Sequence, residues 1–288
     1  DTIIFLPFIK ALSKKYNSPI SLMVKENSKA DQYLHQTSYI DQIINLERDN
    51  KNNKKHNGFT GVFNLIKDLK KYNFDKIFIF NSSLRFNLIA RFSKIPEIYQ
   101  YPLFNRTNQH IINLPKKFLK EELNLDVYGD PEIQINDSLL PQTIKKFQID
   151  KNKLNILLGI GGSGPTKRIP AKTFLNVIDR ILKEKKCKFF LATGKDSQEQ
   201  SILNEILDSK FKNVCHRLDD LTIKETLPII KCCNLAICND SSFSHLSSAL
   251  GIKTITLMAD TPLIYGNYNS KMFPIIPDGE ITVEHNTL

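Results

Sequence analysis

The stretch Asn234-Leu-Ala-Ile-Cys-Asn-Asp-Ser-Ser-Phe-Ser-His-Leu-Ser-Ser-Ala-Leu-Gly251, followed by Ile252-Lys-Thr-Ile-Thr-Leu-Met258, decides how this chain folds. Asn234–Cys238 is a short apolar run with no polar alternation, the pattern of a strand covered on both faces. Three polar residues, Asn239-Asp-Ser241, then open directly into a helix over Ser242–Leu250. Asp240 or Ser241 supplies the N-cap, because a side-chain oxygen there can take an unpaired first-turn amide. Gly251 stands where a left-handed residue closes a helix, and Lys253–Met258 is the next strand. Strand, tight polar turn, helix and strand make one parallel βαβ unit.

Working outward, the same unit repeats. Leu154–Leu158 reads as another buried strand, leading through the loop Gly159–Arg168 to a helix over Ala171–Lys185 with Pro170 at its start. Phe174, Val177, Ile178, Ile181 and Leu182 fall at helical spacing on that helix. Strand Cys187–Ala192 and helices Ser197–Leu207 and Thr222–Lys231 complete this half. The first half alternates likewise: helix Ile3–Lys15, which Pro7 kinks or confines to the residues after it, strand Ile20–Val24, helix Ser28–Leu34 and strand Gln42–Leu46. A solvated Lys/Asn-rich loop over 47–58 precedes helix Phe59–Lys71, strand Asp75–Phe80 and helix Leu84–Phe92. Alternating elements of this kind predict an α/β protein of two Rossmann-like, doubly wound parallel-sheet domains. Their expected bounds are 1–140 and 153–265, with a linker at 141–152 and a tail at 266–288 packing back on the first domain.

Composition narrows the class. Of 288 residues, 41% are hydrophobic and 24% charged, the balance of a globular protein. No apolar run approaches the ~20 residues of a membrane span. The five cysteines are odd in number and show no C-x-x-C pair, so they read as reduced, partly buried side chains of a cytosolic protein. No cluster with metal-ligand spacing stands out. The net charge of +10 invites an anionic partner. It is spread along the chain without a nucleic-acid signature, which leaves lysine-rich composition, anionic lipid or a phosphorylated acceptor as its explanation.

In an open α/β sheet, ligands bind beyond the carboxyl ends of the strands. That rule selects three loops: Gly159–Arg168, Thr193–Asp196 and Asn239–Ser244. Gly159-Ile-Gly-Gly-Ser-Gly164 can be laid on G-x-G-x-x-G, but no acid ends the next strand to hold a ribose, which argues against a nicotinamide cofactor. A Walker loop fails at Pro165, where a lysine belongs. What remains is either an anion cradle ending in Lys167-Arg168 or a plain polar connection; the residues alone leave both open. At Asn239–His245 the helix amides and dipole point at the crevice, with His245 one turn inside. Asp1 precedes an apolar helix and reads as its cap.

These residues resemble a known family. Asp240-Ser-Ser-Phe-Ser-His-Leu-Ser-Ser-Ala-Leu-Gly251, with Ala259-Asp-Thr261 after the next strand, is similar to the D-[ST]-G-x-x-H-x-x-x-A-L-G … G-P-T signature of the ADP-heptose:lipopolysaccharide heptosyltransferases, glycosyltransferase family 9. Gly162-Ser163 through Lys167-Arg168-Ile-Pro170 resembles that family's small-residue loop and K-x-W-P segment, and Asp1-Thr-Ile-Ile-Phe-Leu-Pro7 its G-D-x-x-x-x-x-P segment. The resemblance implies the GT-B fold and inverting transfer of heptose from ADP-heptose to a lipopolysaccharide-core acceptor. It implies Asp1 as catalytic base, with Gly162, Ser163, Lys167, Asp240, Ser241, Ser242 and Phe243 around the donor diphosphate. His245 would support that loop, and Glu199 would take the ribose. It further implies no metal, no cofactor beyond the nucleotide-sugar substrate, a lipid-linked or oligosaccharide acceptor, no nucleic acid, and a cytoplasmic site with peripheral contact at the inner membrane. Ser242 replaces the family glycine, Ile169 the tryptophan and Ala259-Asp260 the G-P pair. The family's first strand and the glycine before Asp1 are absent, so the chain reads as a fragment. The alternatives are a degenerate GT-B nucleotide-binding module without catalysis, or a GT-B enzyme, a transferase or an epimerase, using another nucleotide sugar.

Overall fold

The computed structural model describes residues 2–48, 55–103, 111–259 and 261–277. The first half runs through a 3-10 turn at Thr2–Phe5, α1 (Leu6–Tyr16), β1 (Ile20–Lys25), α2 (Ala30–Leu34), β2 (Ile40–Leu46), α3 (Thr60–Leu69), β3 (Lys76–Ile79), α4 (Leu84–Phe92), β4 (Glu97–Gln100), α5 (Asn113–Leu123) and α6 (Leu139–Lys146). Pro7 sits in the first turn of α1, where its missing N–H has no helical partner to lose. The second half comprises β5 (Leu154–Gly159), α7 (Ala171–Glu184), β6 (Cys187–Ala192), α8 (Ser197–Leu207), β7 (Cys215–Arg217), α9 (Ile223–Lys231), β8 (Leu235–Asn239), α10 (Ser242–Ala249), β9 (Thr254–Leu257), α11 (Ile264–Asn267) and β10 (Met272–Ile275).

Strands β5 to β10 form one six-stranded sheet in the order β10-β9-β8-β5-β6-β7, parallel throughout. This is the doubly wound order, whose switch point falls between β5 and β8. Side chains of β5 alternate between two cores. Ile156 and Leu158 join Phe174 and Ile178 of α7 and Leu203 and Ile206 of α8. Leu157 joins Leu227 and Ile230 of α9 and Leu246 of α10. Both faces are therefore covered, which is why the strand lacks polar alternation; each such burial contributes about 1.5–3 kcal/mol. Gly251 closes α10 at φ +83°, the left-handed conformation expected of it.

The first half differs from the single sheet expected of it. Its strands form two separate parallel pairs, β1 with β2 and β3 with β4. The loop at 47–58 is not wholly solvated. His56 is buried, its Nδ1 accepting the Glu47 N–H at 3.0 Å and its Nε2 3.2 Å from Asp68; residues 49–54 lie outside the described residues. The stretch read as a linker carries the end of α6. Residues 266–277, expected as a tail packing back on the first domain, include β10, which pairs with β9 at the sheet's edge, and Ser270, whose N–H donates to Asp130 at 3.1 Å. Residues 278–288 lie outside the described residues.

The halves meet closely. The Ile223 N–H donates to Gln32 at 3.0 Å, and α2 packs on α9. The turn at Thr2–Phe5 lies against α10, with Ile3 and Leu246 in one core.

Candidate functional site

Because β5, β6 and β8 are in parallel register, Gly159 lies beside Ala192 on one side and Cys238 on the other. The loops after these three strands consequently emerge together, at the switch point. Helix α8 starts at Asp196, whose carboxylate accepts the Gln198 N–H at 3.0 Å. That cap fixes Glu199 in the first turn, buried beneath the glycine loop, where its Oε1 accepts the Gly162 N–H at 2.7 Å. From the other side the Arg168 Nε donates to the Gly162 carbonyl at 2.9 Å. Its guanidinium also reaches Asp196 at 3.2 Å and bonds Gln198. Arg168, read from the sequence as a cation offered to an anion, is committed to holding the Gly162 peptide. Glu199, expected at a ribose, has one carboxylate oxygen engaged in the same task.

Lys167 reaches across the crevice. Its Nζ lies 2.7 Å from Asp240 Oδ2, joining the loop after β5 to the loop after β8. Asp240 is buried, so this charge-assisted bond forms in poorly screened surroundings. The N-cap of α10 is Ser241, with extended backbone and no side-chain capping bond. Ser241 Oγ is buried without a partner among the described residues, as are Thr193 Oγ1 just past β6 and Asn239 Oδ1 at the end of β8. A buried polar atom left unpaired costs about 1–3 kcal/mol. Ser241 Oγ among them lies at the amide end of an eight-residue helix, where a polar guest would meet free donors. Ser163 and Ser242 are exposed at the loop and helix starts, while the Phe243 ring packs into the core and leaves only its backbone facing the crevice.

His245 carries a contact that sequence reading missed. Its Nδ1 lies 2.8 Å from the Tyr268 hydroxyl, the rings stacked at 5.5 Å, and its Nε2 is 4.0 Å from Asp240. Burial pushes the His245 pKa below its ordinary value despite the opposing pull of Asp240. Burial raises that of Tyr268, so its hydroxyl keeps its proton. A histidine whose folded pKa lies below its unfolded value of ~6.5 costs stability as pH falls below that value, because the unfolded chain binds the proton more readily. We expect the urea midpoint of His245→Asn to change less between pH 7 and pH 5 than that of the parent chain. Equal changes would show that His245 does not titrate this way; the lowered His35 and His216 shift both proteins alike.

Gly162 is required by close approach. A Cβ there would lie 2.8 Å from the Lys167 carbonyl oxygen, a backbone atom, so the chain at Lys167 has to shift to admit it. Gly162→Ala is expected to displace Lys167 and weaken nucleoside diphosphate binding about tenfold, each 1.4 kcal/mol being a factor of ten. Its melting temperature should stay close to the parent's. Calorimetric titration with an unchanged dissociation constant would show that the loop tolerates the shift.

Of the residues singled out by sequence, Gly162, Ser163, Lys167, Glu199, Asp240, Ser241, Ser242, Phe243 and His245 all lie on these adjoining loops and helix starts. Asp1 lies outside the described residues, although the turn that follows it touches α10; Asp260 also lies outside them. A groove of about 500 Å³ lined by Leu140, Pro141, Ile144 and Asn155 sits at the amino end of β5, the end of the sheet away from these loops.

A sequence profile described as glycosyltransferase family 9 (heptosyltransferase) matches residues 62–273. Among curated relatives, lipooligosaccharide heptosyltransferase 2 of Campylobacter jejuni is 27% identical over 273 residues, covering 88% of this chain and 82% of that protein. Among solved structures, the family 9 glycosyl transferase of Veillonella parvula superposes with a TM-score of 0.78 at 18% identity, over 99% of this chain and 86% of that one. ADP-heptose lps heptosyltransferase II of E. coli gives 0.73 at 16% identity, over 96% and 86%. These likenesses span both halves, and the fold is the GT-B arrangement of two Rossmann-like units. With about three quarters of its length matched by the family profile, the chain belongs to glycosyltransferase family 9, the heptosyltransferases, and is a glycosyltransferase.

Proposed function

We propose that this chain transfers heptose from ADP-heptose to a lipopolysaccharide-core acceptor, with inversion at the anomeric carbon. The observation that carries the reading is that Lys167, bonded to Asp240 across the sheet's switch point, meets the amide end of α10 and its unpartnered Ser241 hydroxyl. That set is complementary to a nucleoside diphosphate. In this reading residues 153–265 hold the donor and 1–140 present the acceptor, which is lipid-linked or an oligosaccharide, in the cytoplasm. Gly162, Ser163, Ser242 and Phe243 face the diphosphate through backbone and small side chains. Asp240, released from Lys167 as phosphate arrives, is free to accept from a sugar hydroxyl, and Glu199 has one oxygen left for the ribose.

In the reaction an acceptor hydroxyl oxygen bonds to the anomeric carbon as the bond from that carbon to the phosphate oxygen breaks. The bonding electrons leave with the nucleoside diphosphate, and the hydroxyl proton passes to the Asp1 carboxylate. Charge grows on the departing diphosphate, so donors already aimed at it stabilise the transition state more than the ground state. A lysine and a helix terminus can carry the charge that a divalent cation would otherwise balance. We therefore expect transfer to persist in excess EDTA; loss of activity restored by added magnesium would overturn that point. The reading is tested by titrating ADP, UDP and GDP in parallel and assaying heptose transfer. Tight binding of UDP or GDP over ADP, without heptose transfer, would give the chain a different donor.

A further inference from the structure

We infer that the outer faces of α3 and α4 form a docking surface for an anionic phospholipid bilayer. The two helices pack side by side through Leu65, Leu69 and Ile89. Arg85 ties the start of α4 to the backbone before α3, bonding the carbonyls of His56 at 2.7 Å and Gly58 at 2.8 Å. With their inner faces engaged, both helices expose large apolar side chains. Phe59 is 79% exposed, Phe63 59% and Phe92 62%, with Leu84 and Leu88 about 40%. Phe59 and Phe63 meet edge to face with ring centroids 5.3 Å apart. One exposed leucine is ordinary; five large apolar side chains on two adjoining helices are not.

The charge around them selects the occupant. Residues 55–94 hold eight Lys or Arg against Asp68 and Asp75 alone, so six of the chain's ten net positive charges fall within forty residues. Asp68 is moreover neutralised locally by Lys55 at 2.5 Å and Lys71 at 2.7 Å. On α3 the spacing i, i+4, i+7 puts Lys67 and Lys70, both exposed, in one row with Phe63; on α4 exposed Arg91 neighbours Leu88 and Phe92. Aromatic and leucine side chains framed by cations suit the head-group boundary of an anionic membrane, which takes the rings into its acyl edge and the cations among its phosphates. A nucleic acid would satisfy the cations and leave the rings in water. Among the described residues no helix is long and apolar enough to cross a membrane; the contact inferred is a peripheral one. It lies on the first half of the chain and does not depend on which donor the second half binds.

The chain contains no tryptophan, so one introduced tryptophan reports without background. Phe63→Trp and Phe92→Trp chains are mixed with vesicles of phosphatidylcholine alone or with phosphatidylglycerol. Tyr128→Trp, at an exposed position elsewhere, serves as control. We expect emission to shift to the blue at positions 63 and 92 with phosphatidylglycerol vesicles only, to revert in high salt, and to stay fixed at position 128. In sedimentation, Phe63→Ser with Phe92→Ser should weaken vesicle binding at least about tenfold, two partly inserted rings each contributing roughly that scale. Their folded state is checked by circular dichroism. Vesicle binding unchanged in the double serine variant, or no spectral shift at either tryptophan, would overturn the inference. So would a concentration-dependent dimer that the serine variant disperses, because the face would then join two copies. Since none of these readouts uses a donor, failure here leaves the transferase reading untouched.

Discussion

Lys167→Ala is expected to weaken binding of the nucleoside diphosphate by about tenfold to a hundredfold, the scale of one hydrogen bond to a charged group at ~1.5–3 kcal/mol. Two effects combine. A cation that would face the phosphates is lost, and the buried carboxylate of Asp240 loses its counter-charge 2.7 Å away. The second effect turns Asp240 into a repulsive neighbour for any anion in the crevice, and an unscreened like charge is costly there. The two contributions can be separated by a double-mutant cycle, because groups in direct contact couple while distant ones add. Asp240→Asn in the Lys167→Ala background should recover part of the lost affinity by removing that repulsion. Alone, Asp240→Asn should tighten the nucleoside diphosphate, since Lys167 no longer has to exchange one anionic partner for another. Calorimetry on the four proteins gives all the terms. An affinity within about twofold of the parent for Lys167→Ala would place the phosphates somewhere else in the fold.

The same pair shows why part of this site was legible from sequence and part was not. Strands β5, β6 and β8 declare themselves by short, unbroken apolar runs, and α10 by the polar turn before it and the glycine after it. Those signals are local, and they place the three loops at one edge of a parallel sheet without further information. The role of Arg168 is not local. Its guanidinium spends its donors on Gly162 and the start of α8, and only the fold brings residues 162, 168 and 196 together. Tyr268 was invisible for the same reason: it lies 23 residues beyond His245, in a stretch with weak periodicity. The short edge strands escaped too. β7 has three residues, β4 is polar at both ends, Glu97 and Gln100, and β10 carries Pro274, which argues against a strand. Ser242, in place of the family's glycine, stands exposed in the first turn of α10, so its side chain meets no packing that would forbid it.

Asp1→Asn should leave ADP affinity within about twofold of the parent while lowering turnover by roughly a thousandfold, inside the 10²–10⁴ range of a positioned general base. The asymmetry follows from where charge develops. A nucleoside diphosphate is already a good leaving group, so no acid has to assist its departure, and the single proton to be managed is the one on the attacking hydroxyl. A carboxyl of ordinary pKa near 3.9 is ionised at neutral pH and able to take it. Asparagine keeps the size and loses the basicity, so binding of donor alone should not register the change. Asp1 itself lies outside the described residues; the turn that follows it, Thr2–Phe5, rests on α10. The pH profile supplies a second reading. With the parent chain, kcat/KM should fall in acid as the base takes up a proton, and with Asp1→Asn that limb should vanish along with most of the rate. Turnover that survives the substitution with its acid limb intact would assign proton removal to another carboxylate. Turnover lost together with ADP binding would mean that residue 1 supports the donor pocket and does not perform the chemistry.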